Sequence, residues 1–107
     1  MLIPTLREKK RYLVFKIIGG RFDKRDVEKA IKQAFLDFLG ELGLSRAGLL
    51  FPLWKKNKNV GVIRVNNKFV EEAKFCLSLI KQIGGERVLI RDLRVCGALK
   101  KTKDFYL

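Results

Sequence analysis

Apolar and polar residues alternate along "RYLVFKII", residues 11–18. Leu13, Phe15 and Ile17 fall on one side, and Tyr12, Val14, Lys16 and Ile18 on the other. A period of two predicts a strand with one wholly apolar face and one mixed face. Gly19 and Gly20 end it. The period then changes: Val27, Ala30, Ile31, Ala34, Phe35 and Phe38 recur at three and four, the single buried stripe of a helix. Asp23 or Asp26 can cap that helix. Gly40 and Gly43 are expected to break it, leaving "ELGLSRAG" as a short turn or stub. "LLFPLWKK" and "VGVIRV" flank "NKN" as the arms of a hairpin, with Pro52 pushing the first arm to a sheet edge. Asn66 or Asn67 caps a second helix, whose stripe is Val70, Ala73, Cys76, Leu77, Ile80 and Ile83, with Glu71 and Glu72 in its first turn. Gly84 and Gly85 should stop it. "RVLI" opens a last strand, the alternation slips near Asp92 in the manner of a bulge, and "LRVCGALKKTKDF" continues as strand and then basic tail.

Strand, helix, hairpin, helix, strand is the βαββαβ order of an α+β, ferredoxin-like (RRM-like) sandwich. It predicts a four-stranded antiparallel sheet with both helices on one face. The other face is left to solvent or to a partner. Val14 and Ile18 on that face, with Leu49, Leu50 and Trp54 near the hairpin, offer more apolar surface than two helices cover. At 107 residues the chain reads as one domain, residues 1–107, with a basic N-terminal arm (1–10) and a basic C-terminal tail (100–107).

Charge changes the picture. The net charge is +13, and it is unevenly spread. Residues 1–21 carry six Lys or Arg against one acid, residues 46–70 six against none, and residues 87–107 six against two. The two predicted helices are close to neutral, with four bases against five acids in residues 22–45 and two against three in residues 71–86. Excess charge therefore sits on strands, loops and tails, the pattern of a surface that meets a polyanion rather than of uniform solubilisation. Hydrophobic content of 48% argues against disorder. No apolar run approaches the roughly 20 residues of a membrane span, and "MLIPTL" is too short for a signal peptide. A cytoplasmic protein without membrane contact is expected.

Four kinds of chemistry can be weighed on these elements. The open sheet face could stack bases on aromatics, as RNA-recognition motifs do, but "NVGVIRV" has no aromatic residue to offer. Phosphate contact has stronger support. Arg7, Lys9, Lys10 and Arg11, then Lys55, Lys56, Lys58 and Arg64, then Arg91, Arg94, Lys100, Lys101 and Lys103 form three clusters that the sheet can gather. Tyr12 and Lys16 join them on the outward side of the first strand. The loop "IGGRF" could cradle an anion as acylphosphatases of this fold do, but their longer signature is absent and a plain turn is favoured. Helix carboxylates pair nowhere convincingly. With no His and only Cys76 and Cys96, no metal site is expected, and Cys76 falls on a buried helical stripe. No protein catalytic centre and no protein-bound cofactor are predicted.

The ordered run "PTLREKKRYLVFKI", "FLGELGLSRAG", "GVIRV" and "LIRDLRVCGALKK" resembles the ribonuclease P protein component 2 family, an archaeal subunit with a eukaryotic counterpart. The resemblance implies a ferredoxin-like fold and an accessory role in a ribonucleoprotein that removes 5′ leaders from precursor tRNA. It implies that the ribonuclease P RNA holds the active site and its Mg²⁺, and that protein component 3 is a partner. It also implies self-association into a heterotetramer through the region after the first helix, here Leu42, Gly43, Leu44, Ser45, Arg46, Ala47 and Gly48. The hairpin tip "WKKNKN" is more basic than the family pattern. A generic or ribosomal RNA-binding module and an acylphosphatase-like enzyme stand as alternatives.

Overall fold

The computed structural model describes residues 9–107; Arg7 and the rest of the arm before Lys9 lie outside the described residues. Strand β1 spans Lys10–Ile18, helix α1 Lys24–Ala47, β2 Leu50–Lys55, β3 Val60–Asn66, α2 Val70–Leu79, β4 Gln82–Ile83, β5 Glu86–Arg87 and β6 Leu89–Cys96. Short 3-10 segments cover Asn67–Phe69 and Leu99–Phe105. The main sheet has the order β2-β3-β1-β6, antiparallel throughout, which is the ferredoxin-like arrangement. Pairing with β1 steps from Val14–Arg94 to Phe15–Asp92, so Leu93 is an extra residue. This is the bulge expected from the slip near Asp92. β2 is an edge strand, and its register shifts between Leu50 and Leu53, around Pro52, which has no N–H to give the ladder.

The apolar face of β1 does what its alternation predicts. Leu13, Phe15 and Ile17 pack with Val27, Ile31 and Phe35 of α1, Ala73, Cys76 and Leu77 of α2, and Ile63 and Val65 of β3. Phe15 lies opposite Gly61, with its ring centroid 6.3 Å from that of Trp54. A Cβ on Gly61 would come within 2.6 Å of the Phe15 ring and 2.9 Å of Trp54, so only glycine lets these rings meet over β3. Trp54 Nε1 donates to the carbonyl of Phe22 at 2.9 Å, satisfying its one polar group.

Several elements depart from the expectation. Gly40 does break the helical backbone (φ 74°, ψ 176°), but "ELGLSRAG" is no turn: it continues as a second helical arm to Ala47, ended by left-handed Gly48. Phe38 is not core. The row Val27, Ile31, Phe35 continues four residues on to Leu39, which turns Phe38 outward against Phe75, ring centroids 4.7 Å apart. Asp23 precedes α1 at the N-cap position but makes no side-chain cap; its Oδ1 accepts instead from Lys56 Nζ at 2.6 Å. Asn66 does not cap the second helix either. Its Nδ2 donates to the Arg46 carbonyl at 2.6 Å and its Oδ1 accepts from Lys10 Nζ, so it closes the end of α1.

The second helix is shorter than its stripe, since α2 ends at Leu79 and Ile80 is already extended. Gly84 and Gly85, expected as its stop, instead turn the small β4–β5 hairpin with φ of 57° and 85°. Two successive positive φ values are what a two-residue hairpin loop needs, and glycine supplies them without strain. Ile80 and Ile83 remain buried although they are no longer helical.

The largest correction concerns the second sheet face. It is not left open. The Leu99–Phe105 segment and Tyr106 fold back over it, where Val14, Val60, Val62, Cys96 and Tyr106 form a second, smaller core flanked by Tyr12, Leu53, Leu93 and Phe105. Thr102 is buried in this segment and its hydroxyl donates to the Leu99 carbonyl at 2.6 Å. Val14 is therefore fully buried, while Ile18 and Leu50 stay exposed and Leu49 and Trp54 are half-buried.

Candidate nucleic-acid interface

Register across the sheet decides which basic side chains share a face. Lys55, Val60, Lys16 and Arg91 form one row across β2, β3, β1 and β6. Leu53, Val62, Val14 and Arg94 form the next, and Arg64, Tyr12 and Cys96 a third. Residues directly opposite in a sheet project from the same side, so Lys16, Lys55, Arg64, Arg91 and Arg94 surround the small core under Tyr106. The covering segment adds Lys100, Lys101 and Lys103, all exposed. Lys55 Nζ lies 5.3 Å from the centroid of the Tyr106 ring, so a cation helps hold the cover in place. A groove of about 330 Å³ runs between the end of β6 and this segment, lined by Arg94, Cys96, Lys101, Asp104 and Phe105 among others. The Nε of Arg64 is buried with no hydrogen-bond partner among the described residues.

The other predicted basic residues are dispersed. Lys9 is exposed, Lys10 is engaged by Asn66, and Arg11 donates to the Lys10 carbonyl at 3.0 Å. These three stand at the end of the sheet where β1 begins, opposite the hairpin tip in the register. Lys56 is withdrawn into its ion pair with Asp23, whose carboxyl is held below the usual carboxylate range by the Lys56 hydrogen bond and charge. Lys58 sits exposed at the tip. So the three sequence clusters become one basic sheet face, one tip and one arm.

Of residues 42–48, expected as a protein interface, 42–47 form the second arm of α1 rather than a turn, and Gly48 is its left-handed cap. Leu42, at 64% exposure, is its outward apolar residue, with Ser45 and Arg46 exposed beside it. Leu44 packs against the main core, Ala47 is buried, and Gly43 and Gly48 are half-covered. Only part of the segment can therefore face a partner.

Three residues of consequence, Phe105, Tyr106 and Arg21, are not singled out by the sequence pattern. Phe105 and Tyr106 close the second face, and the sequence marks them only as two aromatics in a lysine-rich tail. Arg21 falls in the turn after β1, yet its guanidinium is fixed on the hairpin tip by the carbonyls of Lys56 and Asn57.

The cysteines sit on opposite sides of the sheet, Cys76 in the main core and Cys96 under Tyr106, and both are free thiols. Burial, with Glu72 nearby, pushes the Cys76 thiol up to about 11. Among the described residues no group of three or more His, Cys, Asp or Glu could hold a metal ion, and no helix is long and apolar enough to cross a membrane.

Comparison with known proteins agrees with this architecture. The Rpp14/Pop5 family profile matches residues 11–107. The chain is 41% identical over 107 residues to ribonuclease P protein component 2 of Thermococcus kodakarensis and 43% identical to that of Thermococcus gammatolerans, covering 99% of this chain and 89% of each relative. The Archaeoglobus fulgidus protein of the same name is 31% identical, with 95% of its length covered. Among solved structures, a chain in the cryo-EM structure of yeast ribonuclease MRP superposes with a TM-score of 0.66 at 14% identity, over 86% of this chain and 76% of that one, a likeness of fold. On the strength of that near full-length similarity, the chain belongs to the Rpp14/Pop5 family, the family of the archaeal ribonuclease P protein component 2.

Proposed function

We propose that this chain is an RNA-binding subunit of ribonuclease P that supports the catalytic RNA while 5′ leaders are removed from precursor tRNA. The observation that carries the reading is the row arrangement of the sheet: Lys16, Lys55, Arg91, Arg94 and Arg64 share a face with Lys100, Lys101 and Lys103 on its cover. Phosphates attract such a surface without regard to base sequence, and each neutralised phosphate releases counterions. The cover also bears on how RNA is held. With Val14, Val60 and Val62 under Tyr106, the described residues leave no open aromatic platform for stacking on this face, so contact through phosphate and ribose fits it better than base readout.

On this reading Mg²⁺ belongs to the RNA active site and the protein binds no cofactor of its own. The RNA, precursor tRNA in the assembly, and protein component 3 are the partners. Self-association into a heterotetramer uses the outward part of residues 42–48, Leu42 foremost. Lys9, Lys10 and Arg11 extend the RNA contact beyond the sheet, as Arg7 does from the arm, and Lys56 and Lys58 supply charge from the tip. The setting is the cytoplasm.

The test replaces Arg91, Arg94, Lys101 and Lys103 with Gln, beside a control carrying Lys24, Lys29, Lys32 and Lys81 as Gln. Both lose the same charge. If the sheet face meets phosphates, the first variant flattens the dependence of log affinity for ribonuclease P RNA on log salt by about three units, at roughly 0.7–0.9 per contact. Equal behaviour of the two variants at every salt concentration would leave the face as mere solubilising charge.

A further inference from the structure

At the end of the sheet where β1 leaves for α1, the turn at residues 19–22 and the β2–β3 hairpin tip enclose a groove of about 320 Å³. Its lining is Lys16, Gly20, Arg21, Asn57, Lys58 and Asn59: three cations, two amides, a glycine and no acid. The frame is built rather than incidental. Arg21 Nη1 donates to the carbonyls of Asn57 at 3.1 Å and Lys56 at 3.4 Å, which fixes a guanidinium that would otherwise swing in solvent. Asn59, in the left-handed region at φ 55°, donates through Nδ2 to the carbonyls of Ile17, at 3.2 Å, and Gly20. The Ile17 N–H returns a bond to the Asn59 carbonyl at 2.9 Å. Tip and turn are thereby tied together on both sides of the groove.

The charges around it are arranged for an anion. Asp23, the residue before α1, is paired with Lys56. The Glu86 carboxylate, unpaired among the described residues, lies against Gly20 at the margin of the groove and is the one charge that opposes an anion there, against three cations. Among the described residues Lys16, Arg21 and Lys58 enter no ion pair. Arg21 has five N–H donors and its contacts with the tip use only Nη1, so Nε and Nη2 keep donors for a tetrahedral anion. A planar fork held in place loses little freedom on binding, whereas the two lysines supply adaptable charge.

We infer that this groove is a seat for a single phosphate group, with Arg21 as its positioned donor and Lys16 and Lys58 as its flanking charges. Resting on the RNA-subunit reading above, the phosphate is one of the RNA backbone. The seat is separate from the rim around Tyr106 and joins it through Lys16, which stands in the row of Lys55 and Arg91. RNA lying on the sheet face would then have one fixed point at the hairpin end.

Two measurements on the full chain test this. Inorganic phosphate is titrated into ¹⁵N-labelled protein against chloride at matched ionic strength. The amides of Gly20, Arg21 and Asn57 to Asn59 and the Arg21 Nε–H should shift saturably, Arg21→Gln should abolish the response, and Lys81→Gln, an exposed position on the β4 side, should keep it. In the second arm, salt titrations of affinity for ribonuclease P RNA should show the slope flattened by about 0.7–0.9 in Arg21→Gln and unchanged in Lys81→Gln. Failure of phosphate to move these resonances beyond chloride overturns the seat. A slope in Arg21→Gln equal to that of Lys81→Gln overturns its use by RNA. If phosphate binds there but the wild-type chain holds no RNA at all, the seat stands and the RNA-subunit reading falls.

Discussion

The two faces of one sheet are covered in opposite ways. On one side α1 and α2 lay near-neutral amphipathic surfaces over Leu13, Phe15, Ile17, Ile63 and Val65, making a wide core. On the other, seven residues of 3-10 helix and a tyrosine cover an island of three valines and a cysteine, and bases surround it. The same strands supply both, because β1 and β3 are apolar on each side of the pleat at Val14, Val60 and Val62. The broad face is suited to holding the fold together. The narrow one excludes water from a few valines while leaving its cations at the surface.

That contrast can be broken most forcefully at the helix face. Phe35→Ala removes a fully buried ring from α1 and should cost about 3–5 kcal/mol, read as a lowered denaturation midpoint with little change in slope. Tyr106→Ala should cost less, roughly 1.5–3 kcal/mol, since it uncovers one edge of a small cluster. It should also raise binding of a hydrophobic dye, which reports the valines beneath. If Tyr106→Ala proves as damaging as Phe35→Ala, the tail belongs to the main core in energetic terms and the contrast is false.

Smaller effects sharpen it. Cys76, with its thiol pushed up to about 11, should resist a thiol reagent near neutral pH until the chain unfolds. Its linkage has a definite sign. Above the ordinary value of 9.0 the unfolded thiol ionises while the folded one stays protonated, so stability declines as pH rises from about 9 toward 11, and Cys76→Ala removes that decline. Asp23 runs the other way. Its depressed carboxyl adds stability above its ordinary value of 3.8 that is lost as pH falls through the folded value, and Lys56→Gln should erase this dependence. Because the pair is fully at the surface, that effect should be the slightest of the set.

Much of the architecture was legible in the chain. Alternation fixed which side of β1 meets the helices, Pro52 marked an edge strand, and the slip near Asp92 marked the bulge at Leu93. Local pattern misled where tertiary contacts reassign a residue. Phe38 fits the helical stripe, but Leu39 fits it better once α1 lies on the sheet. Asn66 has the chemistry of a cap, and only the fold brings it to the carbonyl of Arg46 instead of to α2. Gly84 and Gly85 stop a helix or turn a hairpin with equal ease, and periodicity through Ile80 and Ile83 favoured the longer helix. The basic surface was half visible. Charge blocks predicted that strands and tail carry the excess, but pairing register was needed to put Lys16, Lys55 and Arg91 in one row and to send Lys56 to Asp23. In the tail, lysines outnumber the aromatics that fold it back, so its composition points to charge and hides the cover.

The central claim, that RNA meets the tail-covered face and not the helices, is tested most directly by lysine footprinting. The protein is acylated briefly with and without ribonuclease P RNA, and each lysine is quantified by mass spectrometry. Protection should concentrate at Lys16, Lys100, Lys101 and Lys103, all exposed on or over the sheet, while Lys29 and Lys32 on α1 and Lys81 beyond α2 react as before. Protection of the α1 lysines equal to or greater than that of the tail would contradict it.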